Sequence, residues 1–252
     1  MHILFASYGN DSLALIQYAH ERFLDDVTIA YSDTDWAVDW WAERVGQAEQ
    51  WARSLGFAAV RLPSIGMAQL VRDKKAWPRG GGGKFQFCTH ELKQKPALAW
   101  LDEVDPTKEA ICLVGIRREE SANRTNFPEW TEESANHGDR RLWAPLVRHT
   151  EADRNSLLAK TPFAPLPHRS RECYPCVNAR KGEIARLPED RIAFIEAMEQ
   201  EAGINSKGNA RVMFSPKRSG GAVGIRAVVA WAKNVDEKQM NLGDCDGGWC
   251  GS

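Results

Sequence analysis

The strongest constraint on this chain is a rhythm of short, continuously apolar runs separated by longer stretches of helical period. HILFA (2–6), VTIAYS (27–32), FAAVRLP (57–63) and EAICLVGI (109–116) are the runs. Segments this short and apolar, bounded by turn residues, read as strands buried on both faces. Between the first two lies 12–24, with Leu13, Ile16, Ala19 and Phe23 along one helical face. After the second comes DTDWAVDWWAERVGQAEQWARSLG, a long helical pattern stopped by Gly56. Strands alternating with helices in units of roughly 30 residues imply an α/β protein: a parallel sheet with helices on both faces.

Two regions break the rhythm. PRGGGGKF (78–85) reads as a mobile loop, either a lid or a linker, and TPFAPLP (161–167) is a proline-rich lead into a cysteine pair. Beyond Glu201 the chain is rich in Gly, Ser and Lys, gives one more apolar stretch, AVVAWA (227–232), and ends in MNLGDCDGGWCGS, with no internal repeat.

With 252 residues the chain can bury a sizeable core, as one large domain or one and a half. A formal charge of −1 announces neither a nucleic-acid nor a membrane partner. The local basic stretches RDKK (72–75) and HRSR (168–171) read as solvated faces. No apolar run approaches the ~18–20 residues that span a bilayer. Met1 leads straight into the first strand with no leader pattern. The expectation is a cytoplasmic protein with no membrane partner and six reduced cysteines, clustered for metal or redox work rather than disulfides.

Four segments can carry chemistry. SYGNDS (7–12) joins the first strand to the first helix. Its backbone N–H groups and the helix dipole can hold an anion, with Ser7 and Ser12 as hydroxyl donors and Gly9 allowing close approach or a positive φ. Asp11 and Ser12 can equally be a helix cap. YSDTDW (31–36) places Asp33 at the carboxyl end of the second strand, in ligand crevice or cap. FCTHELKQKP (87–96) carries Cys88, Lys93 and Lys95, and VGIRREESANR (114–124) runs from a buried strand into Arg117 and Arg124. Those guanidiniums can neutralise phosphates, with Glu119 or Glu120 holding one in place, or form surface pairs.

Taken in order, these segments resemble the adenine-nucleotide α-hydrolases, the superfamily of PP-loop ATP pyrophosphatases and phosphoadenosine-phosphosulfate (PAPS) reductases. SYGNDS is similar to the PP-loop, SDTDW to the D-T-G segment, FCTHELKQKP to C-T-x-x-L-K-x-x-P, GIRREES to G-I-R-x-x-E-S, and LWAPL (142–146) to W-x-P-L. The resemblance implies a Rossmann-like (HUP-type) sheet. It places a PP-loop nucleotide-binding domain at 1–160 and a cysteine-containing metal or Fe–S extension at 161–252, packed on it. It assigns nucleotide binding to Ser7, Tyr8, Gly9, Asn10, Asp11, Ser12, Asp33, Gly115, Arg117 and Arg124, and catalysis to Lys93, Arg117 and Cys250. Asn10 departs from the lysine of many members, which removes a point charge that helps neutralise pyrophosphate.

Cys173-Tyr-Pro-Cys176 is a metal knuckle by spacing, Cys245 and Cys250 form a wider pair in the tail, and Cys112 reads as core. Two metal arrangements stay open beside a metal-free one. Cys88, Cys173, Cys176 and a tail cysteine can hold a [4Fe–4S] cluster, as in family members; or Cys173, Cys176, Cys245 and Cys250 can close a Zn²⁺ site. Cys250-Gly251 also resembles the mobile tail thiol with which PAPS reductases attack the sulfate sulfur.

The functions implied are three. One is an ATP- and Mg²⁺-using enzyme that adenylates a nucleic-acid or small-molecule acceptor for sulfur transfer, with a sulfur-donor protein. Another is a PAPS reductase with a thiol reductant as partner. The third is a non-enzymatic nucleotide-binding module. Trp36, Trp40, Trp41 and Trp51 crowd the second helical pattern, where core packing competes with base stacking.

Overall fold

The computed structural model describes residues 1–81 and 85–234. In chain order the first elements are β1 (His2–Phe5), α1 (Asn10–Glu21), β2 (Val27–Ser32), α2 (Trp41–Ser54), β3 (Ala58–Leu62) and α3 (Met67–Lys74). Next come α4 (Phe87–Thr89), a π turn (His90–Gln94), α5 (Lys95–Val104), β4 (Ile111–Leu113), β5 (Trp130–Ser134), β6 (Arg140–Trp143) and α6 (Glu151–Leu158). The last three helices are α7 (Lys181–Ala185), α8 (Glu189–Ala202) and α9 (Ile225–Lys233). Two compact units result: Met1–Ser64 with Thr89–Tyr174, and Ile65–Cys88 with residues 175–234.

The first unit holds a six-stranded sheet in the order β3-β2-β1-β4-β6-β5. All neighbours pair in parallel except β5, which runs antiparallel to β6 at the edge. The continuous apolar runs are explained by burial on both faces. Along β1, Leu4 joins the cluster formed with α1, α2 and α6, while Ile3 and Phe5 join the cluster formed with α5. In β4, Leu113 joins the first cluster and Cys112 the second, which Val114 just beyond the strand also joins. Cys112 is fully buried, and that burial pushes its thiol up to about 12, so it is a core residue and not a nucleophile.

Two helices depart from their patterns. The chain leaves α1 at Glu21, and Phe23, expected on its buried face, stands 90% exposed at φ 53°. Helix α2 begins only at Trp41, although the period extends back to residue 33. Residues 34–38 instead run in bends beside 171–174: Trp36 bridges Cys173, Tyr174 N–H donates to Trp36 O (2.7 Å), and Val38 N–H to Arg171 O (3.2 Å). Those tertiary bonds take the backbone groups that a longer helix would use internally. Trp36 and Trp41 are both buried, but only Trp41 and Trp51 belong to the helix.

In the second unit, Glu199 of α8 is a buried carboxylate that accepts the N–H groups of Met213 (2.9 Å) and Ile225 (2.8 Å). It thereby caps α9, whose Gly224 N-cap has no side chain of its own. AVVAWA lies in α9, with Val228, Val229 and Ala232 buried. Residues 82–84 of the glycine run and the tail from 235 on, with Cys245 and Cys250, lie outside the described residues.

Candidate nucleotide site

The strand order reverses at β1: its connection through α1 leads to β2 on one side, while β4 lies on the other. Such a switch point opens a crevice beyond the carboxyl ends of the strands, where ligands of open α/β sheets bind. Residues 7–12 leave β1 into that crevice, and 115–124 leave β4 into it.

The loop leaves the N-terminus of α1 without a side-chain cap. Gly9 is the N-cap of α1. Ser12 Oγ donates to Gly9 O (3.2 Å), and Leu13 N–H also bonds Gly9 O (3.0 Å). The N–H groups of Asn10, Asp11 and Ser12 form the first turn, where a helix supplies no internal acceptor. The cap reading of Asp11 and Ser12 therefore does not describe this turn. Ser7 Oγ accepts the Gly9 N–H at 3.3 Å.

The positive φ belongs to Tyr8 (58°), not to Gly9, which is extended at φ −75° and ψ −176°. A left-handed tyrosine costs about 1–2 kcal/mol. It is held by full burial, by the Tyr31 ring at 5.6 Å, and by Arg44 Nε donating to Tyr8 O (2.8 Å). Burial pushes the Tyr8 phenol well above its ordinary range, with Glu49 adding to the effect, so it stays protonated. Gly9 is needed for close approach: a Cβ there would stand 3.0 Å from Ser170 Cβ. Gly115 is needed for the same reason, since its Cβ would meet the backbone of Asp11 at 3.0–3.1 Å.

Arginines converge on Asp11. Arg117 Nε bonds its carboxylate, Arg117 also reaches Glu119 (3.1 Å), and Arg154 from α6 lies 3.6 Å from the other Asp11 oxygen. Arg124 bonds Glu120. Burial pushes Glu120 up to about 7; Asp11 adds to the shift, and Arg124, Arg117 and Arg169 oppose it. The structure thus brings residues 7–12, Gly115, Arg117 and Arg124 together.

A second group surrounds Lys93. Pro96, early in α5, has no N–H for the carbonyl four residues back, and the ladder widens into the π turn that carries Lys93. The Lys93 ammonium meets Glu172 at 2.5 Å, and both side chains are buried. Thr34 Oγ1 donates to Glu172 O (3.0 Å) and lies 3.5 Å from Cys173 Sγ. Asp33 accepts the N–H of Asp35 (3.0 Å), and its own carbonyl accepts the Ser64 hydroxyl (2.6 Å). The D-T segment, the lysine segment and the start of the cysteine pair are therefore bonded to one another.

Asn10 is buried and engaged. Its Nδ2 donates to Leu166 O and its Oδ1 accepts Leu166 N–H, both at 2.9 Å. Sequence reasoning did not find Leu166, Arg154 or Glu172, whose partners lie far along the chain. Glu172, next to the cysteine pair, offered the nearest signal.

Cys88 lies half-buried in α4, and the Cys176 sulfur accepts the N–H of Asn178 at 3.4 Å. Thiolates are the soft donors that iron–sulfur clusters and zinc prefer. Among the described residues no group of three or more His, Cys, Asp or Glu is arranged to hold a metal ion, so these residues do not by themselves complete a four-ligand site. No described helix is long and apolar enough to cross a membrane.

Comparison with known proteins identifies the family of the chain. Residues 1–168 match the phosphoadenosine phosphosulfate reductase domain. An uncharacterized 37.8 kDa protein of Escherichia phage 186 is 30% identical over 143 residues, which are 50% of this chain and 41% of that protein. The chain thus spans about two fifths of this relative's length. Among solved structures, the phosphoadenylyl-sulfate (PAPS) reductase from Candida auris in its phosphate complex shares 12% identity and a TM-score of 0.44, covering 64% of this chain and 72% of that one. With its family match extending over 168 residues and its six-stranded α/β sheet, the chain belongs to the PAPS reductase-like family of the PP-loop superfamily.

Proposed function

We propose that this chain is a sulfonucleotide enzyme that binds an adenine nucleotide with its 5′ anionic end against residues 7–12. The observation that carries the reading is the uncapped N-terminus of α1 facing the switch-point crevice, with Arg117 fixed on Asp11 beside it. The N–H groups of Asn10, Asp11 and Ser12 hold the phosphate oxygens. Arg117 and Arg124 stabilise charge developing on the leaving phosphate.

Charge favours phosphosulfate over triphosphate. Asn10 is neutral, and Arg117, Arg124 and Arg154 each face a carboxylate. In the reductive reaction a thiolate attacks the sulfate sulfur, an S–S bond forms, and the S–O bond breaks with its electron pair leaving on adenosine 3′,5′-bisphosphate. A thiol reductant then releases sulfite. Cys250 is the proposed thiolate, from the sequence alone. The PP-loop wording of SYGNDS supports a second reading, in which ATP adenylates an acceptor for sulfur transfer.

Incubation with PAPS plus a dithiol, and separately with ATP and Mg²⁺, tests both readings. Sulfite is the expected product; pyrophosphate instead establishes the second reading. No turnover and no thermal shift with either nucleotide refutes both and leaves a protein without nucleotide function. Iron and zinc analysis of the same preparation, with its visible spectrum, tests the metal expectation attached to the cysteines.

A further inference from the structure

We propose that the second unit binds single-stranded nucleic acid, on a surface formed by Lys74, Arg79 and Arg218 with the rings of Phe85 and Phe87. The proposal goes beyond the nucleotide reading and does not depend on it. The formal charge of −1 conceals a division of charge along the chain. Residues 65–88 and 175–234, the second unit, hold 15 Lys and Arg against 7 Asp and Glu, whereas the rest of the chain holds 18 against 27. Three of the seven carboxylates meet Arg72 and Arg226: Glu201 at 2.9 Å, and Glu189 and Glu196 at 2.7 Å each. Glu199 is buried and accepts the backbone N–H groups of Met213 and Ile225. However the others pair, the unit carries a surplus of eight positive charges (15 − 7 = 8), which attracts a polyanion.

Part of that surplus is gathered with aromatic rings where α3 ends. Lys75 takes a left-handed turn (φ 45°) after the last helical residue, and buried Trp77 and Pro78 anchor the chain beyond it. Arg79 N–H donates to Phe85 O (2.8 Å), so the backbone returns on itself. This brings the Arg79 guanidinium over the Phe85 ring, 5.8 Å from its centroid. Two residues on, the Lys74 ammonium lies 5.5 Å from the Phe87 centroid. Arg218, in the 3-10 turn Pro216–Arg218, lies against Gly80: a Cβ on that glycine would stand 2.5 Å from its guanidinium. A buried amide holds the arrangement, since Asn178 Oδ1 accepts the Gly81 N–H (2.8 Å) and its Nδ2 donates to Gln86 Oε1 (2.9 Å).

Lys74, Arg79 and Arg218 are exposed, and the apolar Phe85 ring is 57% exposed beside them. The one carboxylate of 72–88 is Asp73, which accepts a bond from Gln69 Nε2 (2.7 Å). Cations set among flat rings suit a single strand: its phosphates meet the charges, and its unstacked bases stack on the rings and guanidinium planes. An acidic peptide meets the same cations but brings no base for Phe85. RDKK, a solvated basic face by sequence, thus lends Lys74 to a recognition surface.

Fluorescence anisotropy of the full chain with labelled oligo-dT and oligo-U of about 16 nucleotides, from about 50 to 200 mM NaCl, tests the assignment. Polyglutamate is the anionic control without bases. Binding of either oligonucleotide at low salt is expected, and the tighter of the two identifies the sugar. Three phosphate contacts give a slope of log K against log salt near −2, at about 0.7 per contact. Arg79→Gln/Arg218→Gln should make that slope shallower by about 1.4. Phe85→Ala should weaken binding about 5- to 100-fold and leave the slope unchanged, which a purely electrostatic surface would not produce. Should Phe85→Ala fold poorly, Phe85→Leu keeps the apolar volume without the ring. No binding at low salt overturns the proposal, as does polyglutamate binding as tightly as the oligonucleotides. A slope unchanged in the double arginine variant, or full affinity without the Phe85 ring, overturns it equally.

Discussion

Replacing Lys93 with methionine isolates the buried ion pair at the centre of the second site group. The ammonium and the Glu172 carboxylate are 2.5 Å apart, with side chains only 7% and 6% exposed. Methionine matches the aliphatic stem but leaves a carboxylate in a region with almost no water. Breaking one side of such a pair costs about 3–5 kcal/mol, whereas replacing both sides with apolar residues is often nearly neutral. For a chain of this size each kcal/mol lowers Tm by about 2–4 °C. Lys93→Met should therefore lower Tm by roughly 6–20 °C. The double variant Lys93→Met/Glu172→Leu should recover most of the loss. Scanning calorimetry of the wild type, both single variants and the double variant gives the full cycle. A Lys93→Met protein within about 3 °C of wild type, or a double variant no better than the single, refutes the buried-pair reasoning. ADP binding to the restored double variant then separates roles: retained affinity makes the lysine structural, and lost affinity places it on the ligand.

Gly115→Ala should destabilise the chain by about 1–3 kcal/mol and weaken ADP binding, because the new Cβ meets backbone atoms of Asp11 that cannot step aside; an unchanged denaturation midpoint would count against the close approach. Glu120 gives a pH dependence of definite sign. The folded protein keeps its proton up to about pH 7, while the unfolded chain releases it near 4.5, so this group's contribution to stability falls as pH rises through that window. The loss is at most about 3 kcal/mol and is reduced by solvent at the 28% exposed side chain. Glu120→Gln should flatten the profile between pH 4.5 and 7, and a slope identical to wild type would show that the carboxyl titrates normally.

The strands were legible because burial on both faces writes itself as continuous apolar text: Ile3, Leu4 and Phe5 need no partner to be read as core. The loop at residues 7–12 was legible as a motif, but its conformation was not. Gly9 attracted the positive φ by propensity, while the fold imposes it on Tyr8 through Arg44 and Tyr31. The start of α2 was misread because helical period is a local signal, whereas Trp36 and Val38 take backbone partners from 171–174. A missing lysine at position 10 was visible in the text. What the asparagine does instead was not, because Leu166 lies 156 residues away.

That separation also bears on how the protein is made. The six strands of the sheet are complete by Trp143, so a chain emerging from the ribosome holds every strand before Leu166 exists. The Leu166 partners of Asn10, the Glu172 carboxylate for Lys93 and the Thr34 bond all arrive with residues 166–172. These contacts close loops of 156, 79 and 138 residues, the most entropically demanding kind. A nascent or truncated chain ending before residue 166 carries the 7–12 loop but lacks the segment that packs on it. Synthesis thus reaches residues 166–172 only after the whole sheet, and a product that ends before them has every strand of the sheet without the segment bonded to the 7–12 loop.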